Sequence, residues 1–531
     1  MTKRRQIIEI HDPTKGIRTD FPSDVIDPSA QATGQDFKCY YGINQKEYGT
    51  TIYATGTGST LGAPINFLYE AVYTSLSALQ VMTHTSVYKY SASADTFVVD
   101  GQIFSGTHTD FWSGVVHNGA FFYTNGVDPI QVKQTISATG TNLASAVSPS
   151  TYKAWMLQSI RDHLCLYHVT DAGTEHPNRV QWSKKGILTM TAGATDFGSG
   201  VAGAVDIQDA EGIFRAAAPL SGAVAIYADR SIHMQNWVGG DEVFRFTKTV
   251  SGIGTPSRRG VISFEGVNFI LSRNNIYAYF GGEDIRPIGD SVRRLMFSEV
   301  NPSALEYAYL EFDDQELALL VHIPTGTSTF TDTTWVYRTR EQVWARLKRT
   351  YTAAAKFSRK SGLTWGEAAG RWVDQTLKWG DAAIQSEAPI RIYGDQSGRV
   401  VKVDPGVFVL SYDGTTSLQN YIYETPDLTG KPSKDPVDNS QNEFVTTTQR
   451  WQKLTVQAAG NGSAYVGWST DNGRNFTAFD DSPITLIPTG TNHELDMDVG
   501  SPQIRFRVSD TGTGNIGIQY SKVNFIPGDN Y

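Results

Sequence analysis

The chain has 531 residues, a formal net charge of −9 and only 19% charged residues, with 50 glycines, 25 tyrosines, 25 phenylalanines and 11 tryptophans. That length allows a large core and two or more domains, and that mix of glycine and aromatics predicts an all-β protein rich in turns. The acidic balance argues against tight binding to a phosphate backbone, which requires clustered Lys and Arg.

No run approaches the roughly 18 apolar residues of a membrane-crossing helix. The start MTKRRQIIEIHD is basic but has no apolar segment behind it, so neither a secretory signal nor a membrane anchor is expected. Cys39 and Cys165 are the only cysteines. Two such distant thiols make no disulfide framework, which fits synthesis in a reducing compartment. The basic runs are short: Lys3-Arg4-Arg5, Arg258-Arg259, Arg293-Arg294 and Arg346 to Arg349. Each is read as a solvated turn or an ion-pair partner.

In chain order, residues 1–36 are polar and punctuated by Pro13, Pro22 and Pro28, which predicts an extended arm that gains order by lying on another part of the structure. From Phe37 a hairpin pattern recurs. Val87–Tyr90 returns through Thr96–Val99, and Trp112 leads through Asn118-Gly119 into Ala120–Thr124. Leu164–Tyr167, Val180–Ser183, Ala223–Tyr227 and Ile232–Met234 follow. From Gly260 to Gly289 a hairpin is expected to turn on Arg273-Asn274-Asn275. Leu317–Val321 with Trp335–Tyr337, and Ile390–Tyr393 with Val400–Val403, close the series. Hairpin centres every roughly 40 to 60 residues suit a radial β array, so residues 37–425 are expected to form a β-propeller-like domain of about six to eight blades.

Within it, residues 360–382 carry Trp365, Trp372 and Trp379 seven apart, but Gly366 and Gly370 disfavour a helix there; short strands or a loop excursion are expected. Residues 426–443, with Pro426, Pro432 and Pro436, read as a linker. Beyond it, residues 444–531 alternate cleanly, as in Trp451–Gln457, Ala464–Trp468 and Ile504–Val508, and predict a small antiparallel sandwich.

Chemistry-bearing patterns are weak. Gly198/Gly200/Gly203 and Gly512/Gly514/Gly517 match a dinucleotide fingerprint in spacing, but neither sits between a strand and a helix. His163, Cys165 and His168 lie close in sequence, yet on a strand 168 faces away from the other two and further zinc ligands are missing. Ser469 to Phe476 approximates the Asp-box turn of sialidase-type propellers, with Asn475 and Phe476 in place of its Thr and Trp; it is a fold staple. Asp313-Asp314, Asp480-Asp481 and Glu283-Asp284 are acidic pairs in apparent turns, where solvated carboxylates are the default. No catalytic, cofactor-binding or metal-ligating residue is assigned, and the chain is read as a non-enzyme.

The order of segments resembles the tail nozzle or tail hub proteins of short-tailed bacteriophages, the group often called packaged-DNA stabilisation or tail tubular proteins. The resemblance rests on Gly16-Ile17 and Asp20 in the arm, on Trp112 followed by Tyr123 to Pro129, and on Pro177 to Ser183. It continues through Val243 to Phe246 with Gly252 to Pro256, the Gly260–Gly289 stretch, the spaced tryptophans and the Ser469–Phe476 turn. It implies a structural virion protein, made in the host bacterial cytoplasm, that forms a hexameric ring. Such a ring would bind portal-adaptor proteins and tail fibres or spikes, retain packaged DNA, and pass double-stranded DNA without sequence-specific binding. An acidic wall would repel the passing duplex and so favour sliding. The alternatives are a receptor- or glycan-binding tail adhesin and a glycosidase of the same architecture.

Overall fold

The computed structural model describes residues 5–40, 42–73, 77–91, 94–135, 141–142, 152–186, 188, 196–198, 200–240, 242–358, 389–412, 415–429, 448–510 and 512–526. The Trp-rich stretch at 360–382 and most of the expected linker lie outside these residues. Among those described, the fold is all-β, with one α-helix at Arg293–Glu299 and one 3-10 helix at Pro302–Tyr307. Neither is long and apolar enough to cross a membrane.

Seven four-stranded antiparallel sheets follow one another along the chain. The first holds Ile65–Val72, Ser77–Thr83, Ser86–Ser91 and Thr96–Ile103, and the second Ser113–His117, Ala120–Thr124, Gln131–Lys133 and Thr141–Asn142. The third holds Lys153–Ile160, His163–Asp171, Thr174–Trp182 and Gly203–Asp206. The fourth runs Phe214–Leu220, Ala223–Ala228, Ser231–Trp237 and Phe244–Ser251. The fifth comprises Val261–Phe264, Val267–Leu271, Ile276–Gly281 and Asp284–Pro287, and the sixth Tyr309–Asp313, Ala318–Ile323, Thr333–Arg338 and Val343–Lys348. The seventh takes Tyr351–Phe357, Ile390–Asp395 and Val400–Asp404, and its fourth strand is Gly49–Ile52, from ahead of the first sheet.

Local chemistry explains much of this. Asn118-Gly119 and Glu265-Gly266 both take positive φ at two-residue turns, the backbone geometry that matches the twist of tight hairpins. The second of these corrects the expectation for Gly260–Gly289. The chain reverses at Glu265-Gly266 as well as around Asn274, so the stretch is a whole four-stranded sheet and not one hairpin.

Inner strands such as Ala223–Ala228 and Ala318–Ile323 are buried on both faces, because each sheet packs against its neighbours. One apolar cluster joins the first and second sheets through Ala71, Met82, Phe121 and Tyr123, and another joins the third, fourth and fifth through Tyr167, Ile226 and Ile270. A third joins the seventh to the first through Ile392, Val400, Ile65 and Leu79. Each buried Val, Leu, Ile, Met or Phe among these contributes roughly 1.5–3 kcal/mol by leaving water. The first strands of successive sheets touch one another in order, and the seventh meets the first.

Of the remaining described strands, Val409–Tyr412 and Thr415–Leu418 form a separate hairpin, and the others form two larger sheets with a shared core that includes Trp451, Val456, Phe525, Tyr421, Tyr423, Phe506 and Val508. One contains Gln449–Gly460, Thr491–Ser501 and Ile516–Ile526, the other Gly462–Ser469 and Gln503–Asp510. Both ends of the chain build them. Gln6–Ile10 pairs with Ile516–Ile526, and Thr33–Gln35 pairs with Tyr421–Glu424. Phe37–Tyr40 and Ile43–Lys46 also join the sheet of Ile516–Ile526, while Tyr421–Glu424 pairs with Gln503–Asp510. The hairpin array expected over 37–425 therefore contributes strands at both its ends to the C-terminal sheets, since alternation reveals a strand but not its partner.

Between these strands the arm lies on the sixth sheet. Ile17 N donates to Trp344 O at 2.8 Å, and a Cβ on Gly16 would stand only 2.5 Å from that oxygen. Buried ion pairs fix the junction. Asp36, itself at positive φ, accepts from Arg349 Nη1 at 2.5 Å and from the backbone of Lys348 at 2.9 Å and Asn420 at 3.3 Å. Lys46, fully buried, donates to Asp510 at 2.9 Å and to Gly512 O at 2.6 Å.

Removing one partner of such a pair strands the other charge in a dry site. Arg349→Met is therefore expected to destabilise the protein by about 3–5 kcal/mol in chemical denaturation, with Arg349→Lys intermediate because a point charge replaces the planar fork.

Candidate functional site

The inner strands surround a cavity of about 240 Å³. Every one of the seven sheets lends it a residue: Phe67, Gly114, Met156, Ala217, Val261, Tyr309 and Ala353. Its lining is mostly apolar and aromatic, and the charged residues in it are Arg258 and Arg259. Both come from the connection between the fourth and fifth sheets. That connection is pinned by buried Thr255 and Ser257, Ser257 Oγ donating to Ala308 O at 2.5 Å and accepting from Arg259 N at 3.1 Å. Gly254 passes so close to Ala228 that a Cβ would lie 2.1 Å from its carbonyl oxygen.

Arg259 reaches across to other sheets. Its Nη1 donates to Asn66 O at 3.0 Å and Thr352 O at 2.9 Å, and its guanidinium carbon lies 4.3 Å from the Phe111 ring centre and 4.7 Å from that of Tyr309. Thr352 in turn ties the first and seventh sheets together through Ile65 O at 2.6 Å. Arg258 stacks 3.5 Å over Trp155, which lies 3.6 Å from His168 on its other face. His168 is held by Glu175 at 2.6 Å and by Phe214 O at 3.3 Å. Burial pulls both guanidinium pKa values down to about 10. The expectation of solvated turns or ion pairs fails for these two arginines: they are half-buried, and among the described residues neither has a carboxylate at ion-pair distance.

A second polar cluster escaped sequence reading. In the sixth and seventh sheets Glu311 lies 3.4 Å from His322 and accepts from Tyr393 at 3.3 Å, while Arg391 pairs with Asp313 at 3.1 Å. The adjoining cavity of about 30 Å³, lined by Glu47, Arg391 and Tyr393 among others, holds no more than about one water. This is an internal ion-pair network with no room for a substrate. Asp313 is thus a buried partner of Arg391 and not the solvated turn acid expected, whereas its neighbour Asp314 pairs with Lys356 at 2.8 Å.

The other flagged patterns do not converge. His163 bonds Ser183 O at 2.7 Å, Cys165 sits 3.5 Å from Gln235, and a bulge with positive φ at His168 turns that side chain to Trp155. Burial pushes both cysteine thiols up to about 12. Among the described residues no three His, Cys, Asp or Glu side chains group as a metal site would require. The two glycine patterns end in the strands Gly203–Asp206 and Ile516–Ile526, and among the described residues no helix follows directly on either. The Ser469–Phe476 turn has its expected form. Asn475 N donates to Asp471 at 3.0 Å, and Ser469 and the Asn475 amide add further bonds, holding the carboxyl well below the usual range.

No family model matches the chain, and no curated protein does. Among solved structures it is similar to two family 29 carbohydrate-binding modules, one of them a mutant complexed with cellulohexaose. These share 13% and 14% identity, cover 22% of this chain and 75% and 73% of theirs, and each has a TM-score of 0.14. PorZ, an essential surface component of the type-IX secretion system of Porphyromonas gingivalis, is similar over 81% of this chain and 46% of its own, at 8% identity and a TM-score of 0.33. None of these similarities is strong enough to carry fold or activity across.

His117, His168, His233 and His322 are all depressed below the ordinary imidazole value of 6.5, chiefly by burial. Depressed folded values mean that the unfolded chain binds more protons below that point, so their contribution is complete above about pH 6.5 and is lost as pH falls through the folded values. Urea midpoints measured from about pH 8 to about pH 5 are expected to stay level and then drop, with a shallower drop in His322→Gln.

Proposed function

We propose that the protein is a structural, non-enzymatic subunit of the tail conduit of a short-tailed bacteriophage, built on a seven-bladed β-propeller with a sandwich beside it. The propeller reading is supported by the serial four-stranded sheets, by the contacts between first strands in cyclic order, and by a last sheet completed from the N-terminal side. The propeller and sandwich then share the chain ends, with the strands from Gln6 to Lys46 serving as a strap and Tyr421–Glu424, Gln449–Gly460, Gly462–Ser469, Thr491–Ser501, Gln503–Asp510 and Ile516–Ile526 as the body of the sandwich.

The observation that carries the assembly reading is the outer strand of the first sheet. Among the described residues, the sheet ladder of Thr96–Ile103 runs only to Ser86–Ser91, and the strand holds Val98, Val99 and Ile103 at 48%, 54% and 89% exposure. An apolar open edge is a hazard for a monomer and a natural seam for a neighbouring copy. The tail-nozzle resemblance supplies the assembly: a six-membered ring below the portal and adaptor that carries DNA through its lumen. A net charge of −9 per subunit disfavours adhesion of the duplex. The cavity lining holds no carboxylate, which weighs against glycoside hydrolysis there.

Native mass spectrometry and negative-stain imaging, on the protein alone and mixed with a portal–tail complex, test this reading. Six-fold rings in either arm support it, whereas a monomer in both arms that binds glycans overturns it in favour of an adhesin. Ile103→Lys is expected to lower ring formation while leaving unfolding free energy within about 0.5 kcal/mol of the parent.

A further inference from the structure

Arg258 makes no hydrogen bond and no ion pair with the described residues; its contact is the face of Trp155, and its Nη1 is buried without a partner. Arg259 spends its Nη1 on two carbonyls, but its Nε is likewise unpartnered. Two adjacent guanidinium groups thus border one cavity whose lining holds no negative charge. A partly desolvated cation is costly unless a counter-charge sits with it. The nearest acids influencing Arg258, namely Asp110, Glu306 and Glu175, act from a distance, and Glu175 is engaged by His168.

The geometry around Arg258 is built rather than incidental. Trp155 supports one face of the guanidinium and is itself backed by His168. Gly126 packs against one edge of the pair, since a Cβ there would stand 2.7 Å from the Trp155 ring and 3.3 Å from Arg258 Nη1, so the other edge of the guanidinium is the one left to face the cavity. A planar fork held in one plane is suited to bidentate capture of an oxyanion. The volume of about 240 Å³ equals the liquid share of about eight waters, enough for an oxyanion with a short apolar body against Met156, Leu157 and Leu310.

We propose that the central cavity is a binding site for a small oxyanion, a carboxylate or a phosphate, taken bidentately by Arg258 with Arg259 supplying the second positive charge. This goes beyond the conduit reading and does not depend on it, because the site lies within one chain and can be measured without assembly.

The test is isothermal titration and thermal unfolding of the full chain with inorganic phosphate and, separately, benzoate, against chloride at matched ionic strength. Saturable binding with a raised Tm is expected for at least one of the two, and the arm that binds identifies the anion class. Arg258→Leu is expected to weaken it at least about tenfold, and Arg258→Lys by a smaller factor because the fork is lost. No saturable signal from either anion on the parent protein overturns the proposal whether or not the variants fold. So does a folded Arg258→Leu or Arg258→Lys that binds as tightly as the parent.

Discussion

The strand Gly49–Ile52 lies against Val400–Asp404, and this pairing of residues some 350 positions apart sets the constraint under which everything else is arranged. A succession of sheets that touch in order has two free edges unless its last member is completed from its beginning. Completion with an N-terminal strand makes the seventh sheet four-stranded like the others and brings the arm to the place where the C-terminal sheets form. Sheets that bury both faces against neighbours depend on that closure, since an unpaired sheet would leave a strand such as Ile390–Asp395 without its apolar cover.

Buried charge holds the same region. Asp36 meets Arg349 and two backbone N–H groups, Lys46 meets Asp510, and Arg505 pairs with Asp427 at 2.8 Å. Each joins residues remote in sequence. Ion pairs in dry sites add little net stability compared with apolar packing, but they penalise any other arrangement heavily because a misplaced partner leaves a bare charge. They therefore select one register for strands that alternation alone would allow to slip.

The paired arginines show the same physics unresolved. Elsewhere in the core a buried cation has a carboxylate, as Arg391 has Asp313 and Arg338 has Glu316. At Arg258 and Arg259 the counter-charge is replaced by aromatic faces and carbonyl oxygens, in a cavity to which each of the seven four-stranded sheets lends a residue. An architecture meant only to be a wall could fill this place with apolar side chains.

Local backbone preference was enough to mark most strands of the four-stranded sheets and some of the turns between them, Asn118-Gly119 among them. It also exposed the Ser469–Phe476 staple, whose bonds span only a few residues. Tertiary structure decided the rest. Glu265-Gly266 was hidden as a turn because Val261, Ser263, Val267 and Phe269 read as one alternating strand. The partners of Phe37–Lys46 and Tyr421–Glu424 were invisible because pairing depends on loop closure over hundreds of residues. Arg258-Arg259 and Asp313 looked like solvated charges, since burial is a property of what the other sheets place around a residue and leaves no mark on the residue's own neighbours in the chain.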